Sequence, residues 1–158
     1  VMVDDAHGLG VLGERGSGTV NQFGLDDEVE MIVGTFSKSL ASVGGFIAGS
    51  TELINYIQHN ARSLIFSASL PPASAGSVIA ALDIIESDPK PFENLWKNTH
   101  HAIARFKDLG MEIGKSETPI IPVYIRSNEK SFLISKMLFE KGVFVNPVIA
   151  PAVRPEDT

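Results

Sequence analysis

Apolar and polar positions alternate in blocks along the chain, and the blocks predict its elements. Val1, Met2 and Val3 form a short apolar run that ends in acids. It predicts a buried parallel strand whose C-terminal end lies at Asp4. A loop follows with glycines at 8, 10, 13, 16 and 18. Residues 30–36 and 44–49 are two further strand candidates. Thr51 is placed to cap a helix over residues 52–61. Leu64, Ile65 and Phe66 make a short apolar run, and Pro71 and Pro72 then open a helix that reaches about Ser87. Its many Ala, Val, Ile and Leu residues predict that it is largely buried.

Asp88, Pro89, Lys90 and Pro91 break that pattern and mark a boundary. Phe92, Leu95, Thr99, Ala102, Ile103 and Phe106 recur at spacings of three and four, an amphipathic helix that Gly110 is placed to end. Residues 120–125 predict a strand, with Pro122 at an edge or an irregular start. Residues 129–141 predict an amphipathic helix ended by Gly142, and residues 143–145 a last short strand before a Pro-rich loop. The expected organisation is α/β: residues 1–88 as part of one domain, 89–110 as a linker helix, and 111–158 as part of a smaller α/β domain. The abrupt first strand and the stop after a Pro-rich loop read as a segment cut from a longer protein.

Composition narrows the function classes. Of 158 residues, 44% are hydrophobic and 20% charged, a globular balance. No apolar run reaches the length of a membrane span. The 19 acidic and 13 basic residues give a formal charge of −6, which argues against nucleic acid as a partner. Cysteine is absent, which excludes disulfides and thiolate metal sites. No basic-then-apolar leader is visible; the absence of cysteine allows the cytoplasm, which is the expected location.

Two short stretches carry chemistry. Asp4, Asp5, Ala6, His7 and Gly8 follow the first strand, where ligands bind in open α/β sheets. Alone, the Asp-x-x-His spacing suits a metal site, an acid/base pair, or a loop-capping Asp beside a surface His. Thr35, Phe36, Ser37, Lys38 and Ser39 follow the second strand. Lys38, flanked by small hydroxyl residues, reads either as a partly buried amine able to attack an aldehyde or as a strand-end Lys reaching solvent. Taken together the stretches are more specific. Pyridoxal 5′-phosphate (PLP) needs an amine, an acid to keep a proton on its ring nitrogen, and donors for its phosphate. Lys38 supplies the first and Asp4 the second. His7 can bond the ring phenolate oxygen, and Thr35 and Ser37 can donate to the phosphate. No metal is expected.

Four runs then identify a resemblance. Residues 4–18 (DDAHGLGVLGERGSG), 34–49 (GTFSKSLASVGGFIAG), 61–72 (ARSLIFSASLPP) and the Pro-rich tail from Gly142 to Pro155 resemble, in that order, the α-oxoamine synthase family of fold-type-I PLP enzymes. The resemblance covers essentially the whole chain. It implies part of a large PLP-binding domain, three-layered with a mainly parallel sheet, and part of a small C-terminal domain. It implies decarboxylative condensation of an amino acid with an acyl-CoA thioester. By match, Lys38 is the Schiff-base lysine, Asp4 the ring-nitrogen partner and His7 the partner of the phenolic oxygen. Ala6 lies in the same cofactor-contacting run, and Thr35 and Ser37 are phosphate ligands. Ser67 and Ala68 correspond to the stretch that reaches the partner subunit's phosphate in a homodimer. Ala152 falls near a substrate contact, in a loop where Arg154 interrupts the family pattern.

The family contains synthases of sphingoid bases, of a biotin precursor, of aminolevulinate and of aminoketobutyrate. Ser37 and Ser39 around Lys38, with Ala41, Ser42 and Val43 beyond, resemble the sphingoid-base branch. The biotin branch more often carries Gly before the lysine and Ala after it. The family's upstream phosphate loop and ring-stacking His would precede residue 1, and its carboxylate-gripping Arg would follow Thr158. The isolated chain is therefore expected to be inactive, and a non-catalytic interaction module is the reading of another class. Elsewhere, His100 and His101 point about 100° apart and suit a surface. His59 and Arg62 suit a helix C-terminus, with a CoA-phosphate contact for Arg62 as the alternative. Trp96 suits packing in a core or between domains.

Overall fold

A computed structural model describes residues 1–158. Three strands form one sheet in the order β1 (Met2–Asp4), β2 (Met31–Thr35), β3 (Gly45–Gly49). β1 runs parallel to β2, with Met2 opposite Met31 and Asp4 opposite Val33. β3 runs antiparallel to β2, with Thr35 opposite Gly45 and Met31 opposite Gly49. A parallel pair needs a long crossover. Residues 5–30 supply it with the glycine loop and one short helix, α1 (Thr19–Gln22). These directions bring the ends of β1 and β2 and the start of β3 to one end of the sheet. The strands lie where the apolar runs predict them. β1 is not buried, however: Val1 and Met2 are exposed.

The remaining helices are α2 (Thr51–Asn60), α3 (Arg62–Ile65), α4 (Pro72–Ser87), α5 (Lys90–Asp108) and α6 (Asn128–Glu140). The cap of α2 is Ser50, one residue before the expected Thr51. Its extended backbone lets the hydroxyl accept from Leu53 N at 3.3 Å. The apolar run at residues 64–66 supplies a helical turn, α3, rather than a strand.

By compactness the chain divides into residues 1–96 and 97–158. In the first unit the core is small: Phe36, Leu40 and Val78 are buried, with Leu9, Phe46, Ala81 and Ile85 packed on them. The Phe46 ring stacks on Phe36 with centroids 5.8 Å apart. It also covers Gly34, where a Cβ would lie 2.3 Å from the ring. Leu40, 2% exposed, is the anchor. Leu40→Ala is expected to cost about 2–5 kcal/mol in urea unfolding, and a loss below about 1 kcal/mol would place the core elsewhere. α4 is apolar on all sides, and only its Val78 stripe meets this core. Ile79 and Ile84 stay exposed, against the expectation of a largely buried helix. The start of α5 is fixed to the glycine loop, where Trp96 Nε1 donates to the Val11 carbonyl at 2.9 Å.

In the second unit, Ser127 caps α6 by accepting from Lys130 N at 3.4 Å. Gly110 and Gly142, at φ 69° and 81°, follow α5 and α6 in the left-handed conformation that ends helices. Neither expected strand forms. Residues 120–125 and 143–145 have strand-like composition, but a strand also needs a ladder partner. Here Tyr124 N donates to Glu112 O, Ile125 N to Thr158 O, and Ser135 Oγ to Val145 O, which are single bonds rather than a register. α6 is not amphipathic in its burial either: Ser131 is its buried residue, while Phe132, Leu133, Met137 and Phe139 are exposed. Arg126 lies over the Tyr124 ring and bonds Glu112. That bond, reinforced by the charges of Glu112 and Asp157, raises its guanidinium above the usual arginine range. No helix is long and apolar enough to cross a membrane.

Candidate active site

The loops leaving β1 and β2 hold most of the residues singled out in the sequence. Asp4 ends β1 with an exposed side chain whose Oδ1 accepts from Ala6 N at 3.0 Å. Asp5 N donates to Val33 O at 2.7 Å, so the chain stays bonded to β2 one residue past the strand. Residues 6–8 then turn, held by Gly8 N and Leu9 N on the Asp5 carbonyl, both at 3.1 Å. His7 sits exposed on this turn.

The second loop begins at Thr35. Its Oγ1 lies 2.9 Å from Ser37 Oγ and donates to the Gly44 carbonyl at 3.2 Å. Ser37 N donates back to Thr35 Oγ1 at 3.3 Å. Phe36 N to Gly44 O and Ser42 N to Phe36 O close the loop over buried Leu40. Lys38 projects from it, exposed, its amine making no hydrogen bond or ion pair. Of the two readings of Lys38, the structure shows the strand-end lysine reaching solvent, because Leu40 rather than Lys38 turns into the core. The two loops are braced together. Ser39 Oγ donates to the Leu9 carbonyl at 2.8 Å, and Gly10 packs so tightly that a Cβ there would lie 2.5 Å from Ser39 Cβ.

Asp4, Ala6, His7, Thr35, Ser37 and Lys38 therefore share one end of the sheet. Ser67 and Ala68 lie on the exposed stretch between α3 and α4. The Ser67 hydroxyl bonds the Ser63 carbonyl, and Leu70 packs on Gly44 of the lysine loop. Ala152 belongs to the second unit, in a turn where its N–H meets Ile149 O at 2.9 Å. No group of three or more His, Asp or Glu side chains gathers as metal ligands would. Such an end of a sheet can present an amine, a carboxylate, an imidazole and two hydroxyls to one small ligand.

The family model for aminotransferase class I and II matches residues 1–158. The chain belongs to the aminotransferase class I and II family. Its relatives in that family include the serine palmitoyltransferase of Sphingobacterium spiritivorum, 56% identical over all of this chain and 40% of the relative. The 8-amino-7-oxononanoate synthase 1 of Bacillus velezensis is 45% identical over 97% of this chain and 39% of its own length. A solved structure of SPT with the PLP internal aldimine superposes at a TM-score of 0.91 and 30% identity, over 99% of this chain and 40% of that one. The chain thus spans about 40% of the length of the curated relatives it matches. The fold is the fold-type-I aminotransferase fold that the motifs imply.

Sequence reasoning missed the contact between Asp5 and Thr19 beside these loops. Asp5 is 4% exposed, and its carboxylate accepts from both Thr19 N, at 2.8 Å, and Thr19 Oγ1. Beside Asp4, Asp5 reads as one more acid at a strand end. The 14 residues to Thr19 carry no periodicity that would signal the contact.

Proposed function

We propose that the chain is the lysine-bearing part of a PLP-dependent α-oxoamine synthase acting on serine and palmitoyl-CoA. One observation carries the reading: an unpaired lysine amine, an acid, an imidazole and a hydroxyl pair share one end of a sheet. The residues fit PLP. Asp4 keeps Oδ2 open while Oδ1 is anchored by Ala6 N. Thr35 and Ser37 form a hydroxyl pair close enough to grip one phosphate, and the Lys38 amine is free to react.

PLP, when bound, supplies an electron-withdrawing ring that stabilises negative charge at the amino acid's α-carbon. The chain's residues do the rest. Lys38 Nζ would be the amine that holds the cofactor through its aldehyde carbon, with loss of water. When not so engaged, Nζ would be the base that takes the proton from the amino acid's α-carbon. The Asp4 carboxylate would hold a proton on the ring nitrogen, and His7 would donate to the ring oxygen. Thr35 and Ser37 would turn their hydroxyls from the Gly44 carbonyl and from each other to donate to the phosphate, and Ala6 would lie against the ring face. In the net reaction the α-carbon bonds to the acyl carbon, the thiol of CoA leaves, and the carboxylate departs as carbon dioxide. Ser67 and Ala68 would reach the phosphate held by a second copy, which makes a homodimer the working assembly. Ala152 would approach the substrate, and the cytoplasm is the location. A non-catalytic subunit fits less well, because Lys38 is in place and unpaired.

The second reading, 8-amino-7-oxononanoate synthesis, is favoured by the relative from Bacillus velezensis, and glycine C-acetyltransferase shares the chemistry. The test is a substrate screen of the intact gene product with serine, alanine and glycine against palmitoyl-CoA, a pimeloyl thioester and acetyl-CoA. Carbon dioxide release is expected to be highest with serine and palmitoyl-CoA, by on the order of 100-fold over the other pairs. A maximum with alanine and the pimeloyl thioester would replace this reading with the second.

A further inference from the structure

Asp5 has no part in the chemistry proposed above, yet the glycine loop is built around it. The side chain is buried, and a buried carboxylate is costly unless its oxygens are bonded. Both are: Oδ2 accepts from Thr19 N at 2.8 Å and Oδ1 from the Thr19 hydroxyl. The backbone is equally committed, with N–H to Val33 O and the carbonyl to Gly8 N and Leu9 N. Two of the loop glycines make room for the carboxylate. A Cβ at Gly8 would lie 1.9 Å from Asp5 Oδ1, and one at Gly18 would lie 2.1 Å from Oδ2. Gly18 is moreover at φ 116°, where a side chain is strained. An apolar residue at position 5 would pack without these demands, so burial alone does not account for the acid.

Its neighbours in the chain supply a reason. Asp4 precedes Asp5 and His7 follows it by two residues, and consecutive Cα atoms are only about 3.8 Å apart. Any rotation of the backbone at Asp5 re-aims both side chains. The Thr19 clamp opposes that rotation from 14 residues away, beyond the turn that carries His7. Misplacing a reacting group by about 1 Å costs on the order of 100-fold in rate.

We propose that Asp5 and Thr19 are positioning residues, a buried carboxylate–hydroxyl clamp that aims Asp4 and His7 at the cofactor. This inference rests on the PLP reading above. Asp5 substitutions endanger folding, so Thr19 carries the test. Thr19→Val removes the hydroxyl with little change of shape, and Thr19→Ser restores it. Neither touches a residue placed in the catalytic machinery.

The apo form of the intact gene product would be titrated with PLP. The readouts are the dissociation constant, the visible circular dichroism of the bound cofactor and the thermal midpoint of the apo-protein. Thr19→Val is expected to weaken PLP binding about tenfold and to diminish the visible dichroism. Thr19→Ser should stay within about twofold of wild type. A Thr19→Val protein with a lower thermal midpoint but unchanged PLP affinity and dichroism would reduce the clamp to a stabilising contact and overturn the proposal. So would a Thr19→Ser protein as impaired as Thr19→Val. Wild-type protein that takes up no PLP would instead sink the cofactor reading, and the clamp's role with it.

Discussion

Lys38→Ala is expected to lower acyl-CoA-dependent carbon dioxide release by the intact gene product by roughly 10³-fold or more. On the proposed reading, two functions would vanish with one side chain: the covalent hold on the cofactor and the base that moves the α-carbon proton. The loop itself should survive. The Lys38 carbonyl, not its amine, accepts from Ala41 N at 3.0 Å, and the neighbouring bonds from Phe36 N and Ser42 N do not involve the side chain. An exposed side chain with no partner costs within about 0.5 kcal/mol when removed, so urea unfolding should barely move. Borohydride followed by mass spectrometry separates the readings. Wild-type protein should gain the mass of reduced cofactor on the peptide holding Lys38, and Lys38→Ala protein should gain none. Continued labelling of the variant would move the attachment point to another lysine.

The three strands and the four helices longer than one turn were readable in the sequence to different degrees, for physical reasons. β1, β2 and β3 have neighbours within the chain, so their apolar runs become ladders. Residues 120–125 and 143–145 have equally good runs and no such neighbour, and composition reports the propensity but not the partner. α4 and α6 show the same limit. Their apolar residues promise burial, but burial depends on what lies opposite, and in α6 it is Ser131 that is covered. Ends of helices were more legible, because Gly110 and Gly142 act locally; the one-residue shift of the cap from Thr51 to Ser50 is the ordinary blur of such signals.

At the site, the two strand-end stretches were legible because each is contiguous, and the sheet brings them to one end. The brace from Ser39 to Leu9 and the clamp from Thr19 to Asp5 were not, since both join residues whose proximity only the crossover creates. Lys38 shows the remaining gap. Its flanking hydroxyls left partial burial and a strand-end lysine in solvent equally open, and the structure shows the second, with Thr35 and Ser37 bonded to each other.

Asp4→Asn should give the second large effect. The substitution keeps size and shape, and the amide oxygen can still accept from Ala6 N, so the turn toward His7 should persist. What is lost is the negative charge beside the ring nitrogen. A hydrogen bond to a charged group contributes about 1.5–3 kcal/mol. At roughly 1.4 kcal/mol per factor of ten, its loss predicts a fall in kcat of about 10- to 100-fold. KM for the acyl-CoA should change little, because Asp4 is assigned to the cofactor rather than to that substrate. Steady-state kinetics with saturating PLP checks the split. Unchanged kcat would remove Asp4 from the ring nitrogen. Asp5 could not then replace it: its side chain is buried, and both carboxylate oxygens are engaged by Thr19. The acid would have to come from outside these two loops, and the geometric case for the site would fail with it.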